Sequence, residues 1–261
     1  MRVLLPLLMT GYIFAGVASA QSDEYPGRAI YPKVKIYSTE QLNEFYNDVT
    51  IVDVRSTFEF NTLHINTAIN IPLNNQKFVK RVRALTQASK PIVFYCNGHR
   101  CYHSYKAVMK ARKAGINNIF SYNSGIFDWA KSHPEKATLL GLSPVNPELL
   151  ISKSNLKKHL LPPAKFSSKI NNKSIILDIR EPAQRGLLEL FPYRQENISL
   201  SEMDKLVGFI SKFKDNKKTL MVYDEGGTQV RWLQYYLKDK GVKNYYFMSG
   251  GVKKYFKNAV N

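Results

Sequence analysis

The sequence predicts an α/β protein of two domains, each a mainly parallel sheet flanked by helices. Three observations predict it. The chain has 261 residues, more than one domain of roughly 100–200 residues usually holds. Its short apolar runs, at 50–54, 92–95, 174–179 and 220–223, do not alternate with polar residues, so both faces of each strand are buried, as in a parallel sheet covered by helices. The third observation is that one plan runs through the chain twice.

The first segment stands outside that plan. Met1-Arg2 is a short positive start, residues 3–16 are almost wholly apolar, and Ala18-Ser19-Ala20 is a small-x-small cleavage site ahead of Gln21. Residues 1–20 read as a secretory signal peptide, with an apolar stretch short for a membrane span of about 20 residues. A mature chain without a membrane span, exported across the inner membrane to the periplasm, is the expectation. Lys plus Arg number 38 against 20 Asp plus Glu, a formal charge of +18. An exported chain rarely meets nucleic acid, so that partner is not expected. The surplus reads as surface solvation, or as attraction for small anions or acidic envelope surfaces. Two cysteines exclude a disulfide-built scaffold.

Taken in order, the first copy opens at Ser38-Thr39-Glu40-Gln41-Leu42, a helix start with a serine cap. The second is matched to it at Ser152-Lys153-Ser154-Asn155-Leu156. Thr50-Ile51-Val52-Asp53-Val54-Arg55 pairs with Ser174-Ile175-Ile176-Leu177-Asp178-Ile179-Arg180. On that alignment the second copy carries about eleven extra residues, placed around Leu161-Pro162-Pro163-Ala164. Ile92-Val93-Phe94-Tyr95-Cys96 pairs with Leu220-Met221-Val222-Tyr223-Asp224, and the stretch from Gly115 to Gly125 with that from Gly241 to Gly251. Residues 106–114 keep helical spacing and stop at Gly115, a usual helix end. Domain one is expected over 31–135, a Gly- and Pro-marked linker over 136–147, and domain two over 148–261.

Cys96 ends a buried-type strand and begins the loop Cys96-Asn97-Gly98-His99-Arg100-Cys101, after which a helix starts. Loop N–H groups and the positive end of that helix favour thiolate over thiol. In an open α/β sheet, ligands bind outside the carboxyl ends of the strands. Cys96 is therefore the candidate nucleophile. Asn97, Gly98, His99, Arg100 and Cys101 are the candidate substrate-binding residues, with Arg100 the best placed by type for an anionic group. Gly98 is expected to let the backbone turn, and Ser104 to cap the following helix. Asp53 with Arg55 reads as a structural ion pair, His64 as a structural histidine, and Trp129 as core. Three readings stand for Cys101: an inert loop residue, a disulfide partner for Cys96, or a thiol that attacks a Cys96 persulfide.

The order of motifs resembles the rhodanese (sulfurtransferase) superfamily in its tandem form. Asp53-Val54-Arg55 with Glu59 resembles its early Asp-x-Arg…Glu signature. His64-Ile65-Asn66-Thr67-Ala68-Ile69-Asn70-Ile71-Pro72 resembles its Gly-His-Ile-Pro-Gly-Ala-x-Asn-Ile-Pro stretch, with departures at Leu63, Asn66 and Thr67. Asn123-Ser124-Gly125-Ile126 with Trp129 resembles its closing segment, and the six-residue loop has the sulfurtransferase length. The resemblance implies a sulfane sulfur moved from a small anionic donor such as thiosulfate to a thiol or cyanide, through a persulfide on Cys96, with no cofactor and no metal. It also implies a catalytically inactive second domain, because Asp224 stands where the nucleophile would be and a carboxylate cannot carry sulfane sulfur.

The alternative reading is a non-catalytic binding or redox-sensing module of the cell envelope, with an envelope redox partner. A phosphatase or arsenate reductase resembling this family would have a longer loop, and a dithiol oxidoreductase a Cys-x-x-Cys pair. Copper(I) held by Cys96, His99, Cys101 and His103 lacks a second cluster to complete the set.

Overall fold

The computed structural model describes residues 24–186, 189–214 and 217–259; the leader expectation lies outside them. A first turn of helix, α1 (Gly27–Ile30), leads into domain one: β1 (Ile36–Tyr37), α2 (Thr39–Glu44), β2 (Thr50–Asp53), α3 (Thr57–Thr62), β3 (Leu63–Ile65), β4 (Ile69–Asn70), α4 (Phe78–Leu85), β5 (Ile92–Tyr95), α5 (His103–Lys113), β6 (Ile119–Tyr122), α6 (Gly125–Ser132) and β7 (Ala137–Leu139). Then come α7 (Lys153–Lys157), β8 (Leu160–Leu161), α8 (Pro163–Lys169), β9 (Ser174–Asp178), α9 (Pro182–Arg185), β10 (Gln195–Asn197), α10 (Met203–Phe213), β11 (Thr219–Tyr223), α11 (Val230–Asp239), β12 (Tyr245–Met248) and α12 (Gly251–Ala259).

Each domain has one five-stranded sheet, ordered β1-β6-β5-β2-β4 and β8-β12-β11-β9-β10. Every pairing in both is parallel. The two orders superimpose strand for strand, so the α/β tandem architecture holds. All four residues of β5 are buried, and four of the five in β11, which is why these runs show no alternation. The caps explain where helices begin. The Ser38 hydroxyl accepts from the Gln41 N–H at 3.2 Å and the Gln41 side chain accepts from the Ser38 N–H at 3.0 Å, a reciprocal box that satisfies two end groups. At the other end of α5, Gly115 takes φ +76°, the left-handed turn that ends a helix at little cost only for glycine.

Register moves the start of the second copy. Tyr37 pairs with Tyr122 on β6, and Leu161 pairs with Met248 on β12. The counterpart of Ser38 is therefore Pro162, which opens α8, and not Ser152. The eleven extra residues disappear on this alignment. The Ser152-capped helix α7 is instead an added turn before the second sheet. The expected linker is also partly structured: Ala137–Leu139 pairs antiparallel with Leu63–Ile65, so 136–147 begins as a strand of domain one.

One hydrophobic cluster runs through both domains. Phe58 of α3 stacks on Tyr236 of α11 with ring centroids 5.1 Å apart, and Phe127 of α6 stacks on Trp232 at 5.2 Å. Stacked aromatic pairs add about 0.5–1.5 kcal/mol beyond their buried area, so the two domains share an apolar seam.

Candidate functional site

The candidate site lies at the carboxyl end of β5, where residues 96–102 connect the strand to α5. The loop folds back tightly. Gly98 takes φ +138° and its carbonyl accepts the Cys101 N–H at 2.7 Å, bringing residue 101 over residue 96. Gly125 at the start of α6 packs against this turn, and a Cβ there would run into the backbone of Asn97 and Gly98. The expected role of Gly98 is met, and Gly125 proves as demanding.

The structure joins Cys96 and Cys101 in a disulfide, with Cα atoms 6.3 Å apart, within the usual range for such a bridge. Cys96 is 1% exposed, while Cys101 lines the cleft above it. In this oxidised form, among the described residues, no loop N–H donates to the Cys96 sulfur. The nearest hydroxyl is that of Ser104, 3.7 Å from Cys96 Sγ. Ser104 does not cap α5, which begins at His103 without a side-chain cap; it is buried in the first turn with its hydroxyl toward the sulfur.

Asn97 fastens the loop to the sheet. Its amide N–H donates to Glu59 Oε1 at 3.0 Å, and its Oδ1 accepts from Arg55 Nη1 at 3.3 Å. Arg55 forks onto Asp53, with Nε to Oδ1 at 2.9 Å and Nη2 to Oδ2 at 2.5 Å, and donates a further bond to the Leu63 carbonyl at 2.7 Å. Both members of this pair are fully buried side chains. Burial opposes the Arg55 charge, but the Asp53 carboxylate outweighs it and holds the guanidinium above its ordinary value. Asp53 and Arg55 are thus structural, as expected, and reach the loop through Asn97. The same fork recurs between Arg180 and Asp178. His64 Nδ1 donates to the Phe60 carbonyl at 2.7 Å, and the ring stacks on Phe60. Burial pushes its imidazole pKa down. Trp129 is in the core, its indole N–H bonded to the Lys136 carbonyl at 3.0 Å.

His99 is engaged by three side chains. Its Nε2 is 2.5 Å from Asp128 Oδ2, its Nδ1 is 3.5 Å from Glu24, and Tyr25 stacks on its ring at 4.4 Å. It ties the loop to α6 and to the segment entering domain one. Arg100 lines the cleft and is exposed.

The cleft, about 1160 Å³, is walled by both domains. Domain one contributes the loop, Lys106 and Lys131; the second half contributes 150–154, Thr228, Gln229 and Arg231. Sequence reasoning missed Arg231. Its guanidinium lies 3.7 Å from the Phe127 ring centroid and donates to the Ile151 carbonyl at 3.0 Å, while its Nε is buried without a hydrogen-bond partner. No carboxylate pairs with it among the described residues, and burial pulls its pKa down. A desolvated, unpaired guanidinium is a ready receptor for an anion. The signal in the sequence was only an arginine in the first turn of α11. Among the described residues no cluster of three or more His, Cys, Asp or Glu side chains could hold a metal ion.

The equivalent loop of domain two, residues 224–229, is one residue shorter. There the Asp224 carboxylate fills the turn. Its Oδ2 accepts the N–H of Gln229 at 2.6 Å and of Val230 at 3.3 Å, and its Oδ1 accepts the Gly227 N–H.

Twin parallel α/β sheets, each with a tight loop after its central strand, define a tandem α/β architecture of two like domains. The Rhodanese-like domain family matches residues 38–132 and 162–258; the chain belongs to that family. The second match begins at Pro162, in agreement with the strand register. Among characterised proteins, an HTH-type transcriptional regulator of Mycobacterium tuberculosis is 38% identical over 31% of this chain and 34% of its own length. A tRNA uridine(34) hydroxylase of Pelagibacter ubique is 29% identical over 59% of this chain and 48% of its own. The chain thus spans half or less of the length of these relatives. A thiosulfate sulfurtransferase from Pseudomonas aeruginosa aligns over 87% of this chain and 43% of its own, at 14% identity and a TM-score of 0.41.

Proposed function

We propose that the protein is a sulfurtransferase whose working centre is the Cys96 loop, and that domain two has no transfer chemistry of its own. The observation that carries this reading is the position of Cys96: at the end of the central strand and buried under a tight loop, of which residues 97–101 line a cleft that also holds Arg231. Once the disulfide is reduced, the Cys96 thiolate attacks the outer sulfur of thiosulfate and sulfite leaves. The persulfide then passes its sulfur to cyanide or a thiol. This is covalent catalysis by an activated thiol. The loop N–H groups and the start of α5 stabilise both anionic states. Arg231 and Arg100 hold the sulfonate end of the donor.

The second reading, a redox-sensing module, draws on the disulfide itself, which blocks Cys96 in the oxidised form. Thiocyanate formation from thiosulfate and cyanide decides between them. Reduced protein should be active and oxidised protein silent; silence in both forms leaves the sensing module. The remaining parts of the reading are an exported, periplasmic chain with residues 1–20 removed and a thiol-based envelope partner that keeps Cys96 reduced. Amino-terminal sequencing of protein from the periplasmic fraction should begin at Gln21, and a start at Met1 ends the export reading.

A further inference from the structure

We propose that Cys101 is a resolving thiol, so that the loop can reduce sulfane sulfur to sulfide as well as transfer it. This rests on the sulfurtransferase reading above. The geometry points to it in three ways. The two sulfurs meet in the folded loop, held there by the Gly98 turn and the Cys101 N–H to Gly98 carbonyl bond. Cys96 is buried and Cys101 lies between it and the cleft, so Cys101 is the nearest nucleophile to any sulfur carried on Cys96. The corresponding place in domain two, five residues after Asp224, is Gln229; the second thiol accompanies the first and is absent where the first is absent.

The chemistry closes without an added oxidant. Cys96 thiolate takes the outer sulfur of thiosulfate and releases sulfite. Cys101 sulfur then attacks Cys96 Sγ, forming the bond seen in the structure, and the bond from Cys96 Sγ to the outer sulfur breaks. The outer sulfur leaves with both electrons of that bond and with the Cys101 proton, as hydrosulfide. The sulfane sulfur is reduced and the two cysteines are oxidised to the disulfide. A dithiol reductant returns them to thiols by exchange. An external acceptor that reaches the persulfide before Cys101 diverts the sulfur into transfer, so the acceptor supply sets the product.

A single turnover tests this without reductant chemistry interfering. The full chain is reduced, freed of reductant under anaerobic conditions, and mixed with one equivalent of thiosulfate. Sulfite and sulfide are measured, and the protein is weighed by mass spectrometry. Wild type is expected to give sulfite and sulfide in equal amounts and a chain lighter by two hydrogens. Cys101→Ser and Cys101→Ala, both of which keep the backbone N–H, should release sulfite, gain the mass of one sulfur and yield at least about tenfold less sulfide. Wild type that keeps the added sulfur and releases no sulfide overturns the resolving role while leaving sulfur transfer standing. A chain that gains no sulfur in any form, with no sulfite released, removes the sulfurtransferase reading and this one with it.

Discussion

The loops after β5 and β11 occupy equivalent places in like-ordered sheets, yet one is closed by a disulfide and the other by a carboxylate. In domain two, backbone N–H groups converge on the Asp224 carboxylate. In domain one the matching position holds Cys96, bridged to Cys101, and the N–H groups are not used on the sulfur. Domain two satisfies its loop N–H groups with its own side chain, whereas in domain one the Cys101 N–H turns back to the Gly98 carbonyl. The scaffolding beneath is unchanged, since Asp53–Arg55 and Asp178–Arg180 form the same buried fork. The two loops differ in the residue at the strand end, Cys96 against Asp224, in the residues that follow it, and by one residue in length.

The sharpest way to break the comparison is to exchange the two groups. Cys96→Ala should lower thiosulfate-to-cyanide transfer by about a thousandfold or more, because the covalent step is lost. Adding Asp224→Cys to that variant should restore nothing. The shorter loop has Gln229 where a resolving thiol would stand, and Gly227 already lies against Gly250. Recovery of transfer by the double variant would mean that the thiol alone makes the site, whatever its loop.

Next in size is a change of stability. Asp224→Ala leaves at least three N–H groups of a buried turn without an acceptor, at a cost of about 3 kcal/mol. Urea titration should show it as a lowered midpoint. Cys96→Ala, with no N–H resting on the sulfur, should cost much less once the wild type is compared in its reduced form. Equal losses at the two positions would show that domain one relies on its sulfur as domain two does on its carboxylate.

Much of this was readable in the residues, and the failures have a common cause. The strands, the loop and the place of Cys96 are local: an apolar run sets a buried strand, and a cysteine followed by a helix sets its position at the strand end. The fork between Asp53 and Arg55 is two residues long. What escaped was set by distance. Matching Ser38 to Ser152 used the same capping chemistry at both places, but only the pairing of Leu160–Leu161 with β12 fixes the start of the second sheet. Ser104 has the right type for a cap, yet tertiary packing points it at the sulfur. Asn97 gave no sign that it would bridge Glu59 and Arg55 from across the sheet. Arg231 enters the cleft only because Phe58, Phe127, Trp232 and Tyr236 bring the domains together.

Arg231 brings the second domain into the wall of the cleft, and its proposed part in donor binding is measurable. Arg231→Gln should raise the KM for thiosulfate about tenfold while kcat changes by less than about twofold, as expected for a lost charge-assisted contact to the donor. Arg231→Lys should recover part of the affinity. A fall in kcat alone, or equal losses in both variants, would assign Arg231 to the domain seam and leave the donor to Arg100.

The smallest effect bears on the character of the filled loop. Burial pushes the Asp224 carboxyl above its ordinary value of 3.8, against the pull of the surrounding N–H groups. The folded chain then keeps a proton on Asp224 at pH values where the unfolded chain has lost it. Its contribution to stability is complete below about pH 4 and fades as pH rises through the raised value. Asp224→Asn cannot titrate, so the wild type should gain on it as the pH is lowered from about 7 to about 4, by at most about 1.4 kcal/mol for each unit of displacement. Denaturant midpoints of the two proteins across that range give the sign. A wild type that instead gains as pH rises would mean that the N–H groups outweigh burial. The turn would then favour an anion outright, and the same geometry, vacated in domain one, would favour a thiolate or a persulfide just as strongly.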